Sequence, residues 1–244
     1  MAVLQWGTLI VCGIATLVRV PDALRGRNRA VFGILFLATL CSLLSIPEPY
    51  SAIDRALGGW NLTNLILRFI VFGMVFLVGV RLAKGLGAAP ARRLITGGPG
   101  RWGLAAACLA VTVTFLLMDT GGSSAGLEAR SDDGGLNAVL APFYAAAGRS
   151  YPAFVSLILL SPLAAAVRTR LPWLVRAGAA ATLVGAAAAI ASVPASFAPD
   201  PWDQARMLVN YVAVLGYVLG LLIFWFSGQI AGPPHNAPAT FRKK

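Results

Sequence analysis

The chain has 244 residues, 58% of them hydrophobic and 12% charged, with a formal net charge of +11. Soluble domains carry about twice that charged share, and a mean hydropathy of +0.76 excludes an ordinary soluble globular protein. The apolar residues gather in runs of bilayer-crossing length, roughly 17–25 residues, so the fold class expected is all-α: a polytopic seven-transmembrane-helix bundle.

In chain order the spans fall at about 2–18, 30–46, 62–80, 102–118, 151–167, 174–193 and 207–226. Together they make a membrane domain over 1–228, followed by a short basic tail over 229–244. No basic segment precedes the first span and no small-x-small cleavage site follows it, so that span is expected to stay in the membrane. After the second span, "PEPYSAIDRALGGWN" carries an Asp-Arg pair in an amphipathic turn and ends on Trp60, placed for an outer interface. Asn61-Leu62-Thr63 matches a glycosylation sequon, but at the membrane edge it reads as a chance match. The stretch 83–101, "AKGLGAAPARRLITGGPGR", reads as a flexible linker near the headgroups. Its "GGPGR" lacks the Gly-Lys-Ser/Thr ending of a phosphate loop. The longest loop, 119–149, opens acidic and then turns apolar over 136–147, where a short interfacial helix is expected. A plain connection is the simpler reading of this loop, and a lid the alternative. Glycines and alanines in "RAGAAATLVGAAAAIASV" and the Gly216–Gly220 pair let backbones approach closely. That fits packing of the last two spans on each other, with a dimer face as the alternative.

Alternate connections differ in charge. The segments 19–29, 81–101, 168–176 and 242–244 hold 15 of the 20 basic residues with one acid, Asp22. The two sides carry +14 and −3, against +11 for the whole chain. The positive-inside rule then places the N-terminus outside and the C-terminus in the cytoplasm, in a bacterial plasma membrane. The same bias accounts for a pI near 10.6 without nucleic acid. The partners it implies are the lipid bilayer and anionic headgroups at the cytoplasmic face.

Chemistry-bearing residues are sparse. Cys12, Cys41 and Cys108 all fall within spans and read as small buried apolar residues, not as disulfide partners or metal ligands. The one histidine, His235, lies in the tail, and lysine occurs at 84, 243 and 244 alone. These residues offer no metal cluster, no hydrolytic triad and no Schiff-base lysine in a span, so neither an enzyme nor a cofactor is expected. Intramembrane acid pairs of the kind that couple proton or sodium movement are also missing, which favours a facilitator over a pump.

The third span holds Arg68, about 9 Å from its outer end at 1.5 Å per residue. A guanidinium on a long stem can climb that far to the headgroups. The competing orientation turns it inward: Asn61, Asn64 and Arg68 share one face, and polar groups left unpaired in lipid are costly. Asp119 stands at a comparable level, with Asp54, Arg149, Tyr151 and Asn210 in the outer half. The candidate ligand-binding pocket is therefore Arg68, Asn64, Asp119, Asn61, Tyr151 and Asn210, with Arg68 its anion-binding or structural centre. A clamp between helices uses the same residue types.

The stretch "VRVPDALRGRNRAVFGILFLATLCSLLSIPEPYSAIDRALGGWNLTNLI" resembles the membrane portion of an uncharacterised bacterial family of seven-helix integral membrane proteins classed as transporters. The likeness rests on the basic loop 25–29, the Pro47 break and "IDRALGGWNLTNL". It covers the first third of the chain, and the rest by hydropathy. Longer members carry a cytosolic C-terminal domain, whereas this chain ends soon after the seventh span in "GQIAGPPHNAPATFRKK". A second likeness is one of topology: three spans, a linking span and three more, as in small sugar transporters, without their Pro-Gln signature. The functional expectation is a small-solute permease with an outward polar pocket. The alternative is a non-catalytic signalling or anchoring module that binds a cytoplasmic protein or anionic lipid.

Overall fold

The structure is a computed structural model that describes residues 2–26, 29–118 and 135–230. Among these residues the chain is all-α. Nine helices follow one another: α1 (Ala2–Leu24), α2 (Arg29–Leu44), α3 (Pro47–Ala56), α4 (Leu62–Gly85), α5 (Ala89–Thr96), α6 (Gly98–Leu117), α7 (Gly135–Arg168), α8 (Trp173–Ala195) and α9 (Asp203–Ile230). Five of them, α4, α6, α7, α8 and α9, are long and apolar enough to cross a membrane. The pair α2 and α3, bent by 90° at its break, makes a sixth if it is one broken span. Large apolar side chains stay exposed along α1 and α9, among them Val11, Leu17, Leu208, Val214 and Leu215. Such a surface suits lipid, not water.

Two sequence expectations need revising. The stretch over 83–101 is not a loose linker, because α5 forms inside it and packs on α4, α6 and α7. Ala91 and Ile95, one turn apart, face the core while Arg92 and Arg93 face out. The interfacial helix and the fifth span are likewise one continuous 34-residue helix, α7. At 1.5 Å per residue it runs about 51 Å, well beyond a hydrocarbon core of about 30 Å. Pro142, Pro152 and Pro162 lie inside it. Each removes one ladder hydrogen bond, yet tertiary packing keeps the helix continuous where sequence signals divide it.

Glycines set the ends of α3 and α4 by the same device. Gly58 N–H donates to the Arg55 carbonyl and Gly59 N–H to the Asp54 carbonyl, with φ of 101° and 73° at the two glycines. At the end of α4, Gly87 (φ 66°) and Ala88 donate to the Lys84 and Ala83 carbonyls. Both are Schellman caps, which need a residue free to adopt positive φ.

The helices pack in sequence-adjacent pairs, α1 on α2 and α8 on α9, with α2 on α4, α4 on α7 and α7 on α8. Gly33 meets Leu77 and Gly73 meets Leu37, so α2 runs antiparallel to α4. Asn64 pairs with Tyr144, Arg68 with Gly148 and Phe72 with Tyr151, so α4 and α7 run parallel in near-constant register. Between α8 and α9 the backbones touch. A Cβ at Gly185 would lie 2.9 Å from the Tyr217 amide nitrogen, and one at Gly216 would lie 2.5 Å from the Gly185 Cα. The small residues thus serve contact within the bundle.

Candidate functional site

Several of the polar residues singled out from the sequence meet where α3 turns into α4 and α7 passes alongside. The turn is built around a buried carboxylate. Asp54, in the last turn of α3, accepts from the Asn61 backbone N–H at Oδ2 (3.1 Å) and from the Thr63 N–H at Oδ1 (3.2 Å). Asn61 takes a left-handed φ of 57°, a conformation Asn tolerates better than most residues. Its own side chain does not cap α4. Asp54 fills that role from the preceding helix, placing negative charge at the positive end of the helix dipole. The freed Asn61 side chain accepts from the Tyr50 hydroxyl through Oδ1 (2.7 Å). Burial, reinforced by Asp54, pushes the Tyr50 hydroxyl up to about 12, so it remains a proton donor at any physiological pH.

One turn on, α4 meets α7. The Tyr144 hydroxyl donates to Asn64 Oδ1 (2.7 Å) within the core. Arg68 follows, half-buried, with Cζ 5.3 Å from the centre of the Tyr144 ring. That is cation–π distance. A Cβ placed at Gly148 would lie 3.0 Å from the Arg68 Cδ, Nε and Cζ. The missing side chain of Gly148 is therefore what admits the arginine against α7. Of the two orientations open in the sequence, Arg68 takes the one that faces a neighbouring helix. Pro152 adds a further polar group, since it has no N–H to offer the Gly148 carbonyl one turn back.

Tyr151 lies deeper on the same face of α7. Its ring packs on Phe72 (centroids 5.7 Å) and Phe154 (6.2 Å). It is fully buried, and among the described residues its hydroxyl has no hydrogen-bond partner. Thr63 Oγ1 is in the same condition at the top of the cluster. Unsatisfied buried polar atoms are uncommon in folded proteins, and two bracket the Arg68 level.

The structure thus gathers Asn64, Arg68 and Tyr151 along one α4–α7 seam, while Asn61 lies just before α4 and bonds to α3. Asp119 lies outside the described residues. Asn210 sits elsewhere: it is half-buried on α9, which packs on α8, whereas α4 packs on α2, α5, α6 and α7. Tyr217, two turns along α9 from Asn210, reaches α7 by a 2.7 Å hydrogen bond with Ser156. Arg149 donates through Nη1 to Ser196 Oγ at the end of α8 (2.5 Å). Sequence reasoning missed Tyr50, Tyr144 and Gly148. A helical offset between Tyr144 and Tyr151, with a glycine between them, was the available signal. Only the partner helix makes it meaningful.

Among the described residues no group of three His, Cys, Asp or Glu side chains stands together to hold a metal ion. Comparison with protein-family models, with curated proteins and with solved structures finds no match to this chain.

Proposed function

We propose that the protein is a non-enzymatic, seven-span permease of the bacterial plasma membrane for a small anionic or polar solute. Its N-terminus is outside and its solute site lies in the outer half of the α4–α7 seam. The observation that carries the reading is Arg68. A permanent cation within an apolar span is costly unless it faces a partner or a cavity, and such residues mark solute and ion routes. Here it lies on Tyr144 and Gly148, with the unpartnered Tyr151 hydroxyl deeper on the same face. A cation and a spare hydroxyl form a donor set for an oxyanion such as a small carboxylate.

Seven spans are favoured by the course of α2. It runs antiparallel beside α4, so it traverses the same depth although it has only 16 residues. With α2 as a span, the 90° bend at its end would carry α3 along the surface. Counting α1 as well, the +14 and −3 charge split sets the orientation.

Proteoliposomes loaded with a panel of small labelled carboxylates test the reading. Flux above protein-free vesicles is expected for at least one, falling about tenfold or more in Arg68→Ala, as loss of a charge-assisted contact implies. Undiminished flux in that variant would remove the site, and no flux for any solute would remove the permease. A second reading, a signalling or anchoring module, draws on the outward arginines of α5. It expects a cytoplasmic protein whose capture needs Arg92 and Arg93.

A further inference from the structure

The end of α4, α5 and the start of α6 together contain five cations, Arg81, Lys84, Arg92, Arg93 and Arg101, and no acid. Charge alone would say little, since inner connections of membrane proteins are basic as a class. What separates this one is how it is held. The Ile95 side chain is buried and reaches α4 at Gly79, where a Cβ would lie 3.3 Å from its Cδ1. Gly79 is six residues, about 9 Å at 1.5 Å per residue, above the end of α4 at Gly85. The short helix is thus drawn up against the bundle and does not hang in solution.

The joint on its far side is equally constrained. A Cβ at Gly97 would lie 2.5 Å from the Arg93 carbonyl oxygen, and one at Gly100 would overlap the Ile95 carbonyl. Only glycines allow α6 to start so close beneath α5. Two apolar side chains of these elements are exposed, Leu94 on α5 and Trp102 in the first turns of α6, next in sequence to Arg101. An indole beside arginines is the pairing found at headgroup depth.

We propose that α5 and the adjoining ends of α4 and α6 form a seat for an anionic phospholipid. Arg92 and Arg93 hold the headgroup phosphate, and Leu94 and Trp102 meet the start of its acyl chains. The seat is set apart from the solute site by the length of α4, so neither assignment depends on the other. It uses the cytoplasmic orientation proposed above, but its binding is measurable without it.

Native mass spectrometry of the full chain, released from nanodiscs of phosphatidylglycerol mixed with phosphatidylcholine, tests the proposal. The wild type is expected to retain phosphatidylglycerol preferentially. Arg92→Gln with Arg93→Gln, both exposed and so harmless to folding, lowers that retention about thirtyfold, as the attraction of two arginines near a membrane surface implies. Arg168→Gln with Arg170→Gln removes equal charge from another connection on the same side and leaves retention within about twofold. Ile95→Ala keeps every charge but loosens the anchor, and gives an intermediate loss. Equal losses from the two double variants would mean diffuse attraction and would overturn the seat. Full retention without Arg92 and Arg93 would also overturn it, leaving the surface to a soluble acidic partner.

Discussion

The carboxylate of Asp54 accepts from two backbone N–H groups of the following helix, so one side chain closes α3 against α4. Its removal strands both donors in a buried turn. Asp54→Ala should cost roughly 1–3 kcal/mol, the usual range for orphaned buried groups. The loss is read as a lower melting temperature in detergent. Asp54→Asn, which keeps one acceptor oxygen, should lose less. The neighbouring glycines make an independent check: Gly58→Ala and Gly59→Ala force an L side chain to φ of 101° and 73°, at about 1–3 kcal/mol each. Much of this was legible beforehand. "IDRALGGWN" shows an acid, two glycines and an asparagine in a short turn, which is turn chemistry. What the sequence withheld is that Asp54 caps the next helix in place of Asn61, because the choice of cap depends on a bend in three dimensions. Arg68 shows the same limit. Its facial stripe with Asn64 was readable from spacing, whereas its seat on Tyr144 and Gly148 needed a helix 80 residues away in the chain.

At the scale of elements, hydropathy located every long helix but misjudged two joints. The sequence reads as a loop over 119–149 ahead of a span from 151, which puts a break inside α7, and the Gly-rich 83–101 reads as a flexible linker where α5 forms. In both places neighbouring helices override local propensity. The α8–α9 pair behaved as its composition implied, because small residues have the same consequence in any packed helix pair. Gly220→Ala would drive a methyl into Thr182 Oγ1 and close on the Gly178 carbonyl (2.9 Å). An overpacking cost of about 1–3 kcal/mol is expected, measured by thermal unfolding. Gly7→Ala, inside α1, meets nothing within 4 Å and should show no loss in the same assay, with a gain of up to about 1 kcal/mol from helix propensity. The Ser156–Tyr217 hydrogen bond joins α7 to this pair. A double-mutant cycle with Ser156→Ala and Tyr217→Phe should return a coupling near 0.6 kcal/mol, the average for interhelical bonds in membranes. A much larger coupling would indicate a wider network through Tyr217.

For the whole molecule, the order α1–α2–α4–α7–α8–α9 places sequence-distant helices at opposite ends of a row, with α6 seated on α4 and α7. The weight of the assembly then rests on α4 and α7, which carry both the polar cluster and the α5 dock. The sidedness of that row turns on α2. If α2 crosses, the connection after α1 and the turn after α3 face opposite sides. If α2 and α3 enter and return, both face the same side. Leu24 and Leu57, exposed at those two points, separate the cases. In a background with Cys12, Cys41 and Cys108 replaced by alanine, Leu57→Cys and Phe197→Cys should react with an impermeant maleimide in intact cells. Leu24→Cys and Leu171→Cys should react only after the membrane is opened. Labelling of Leu24→Cys and Leu57→Cys from the same side would make α2 a re-entrant element. It would also reduce the spans by one and reverse either the N-terminal or the C-terminal placement. Labelling from opposite sides, with Leu24→Cys inside, puts the Arg68 level of α4 nearer the outer face, as the proposed permease requires.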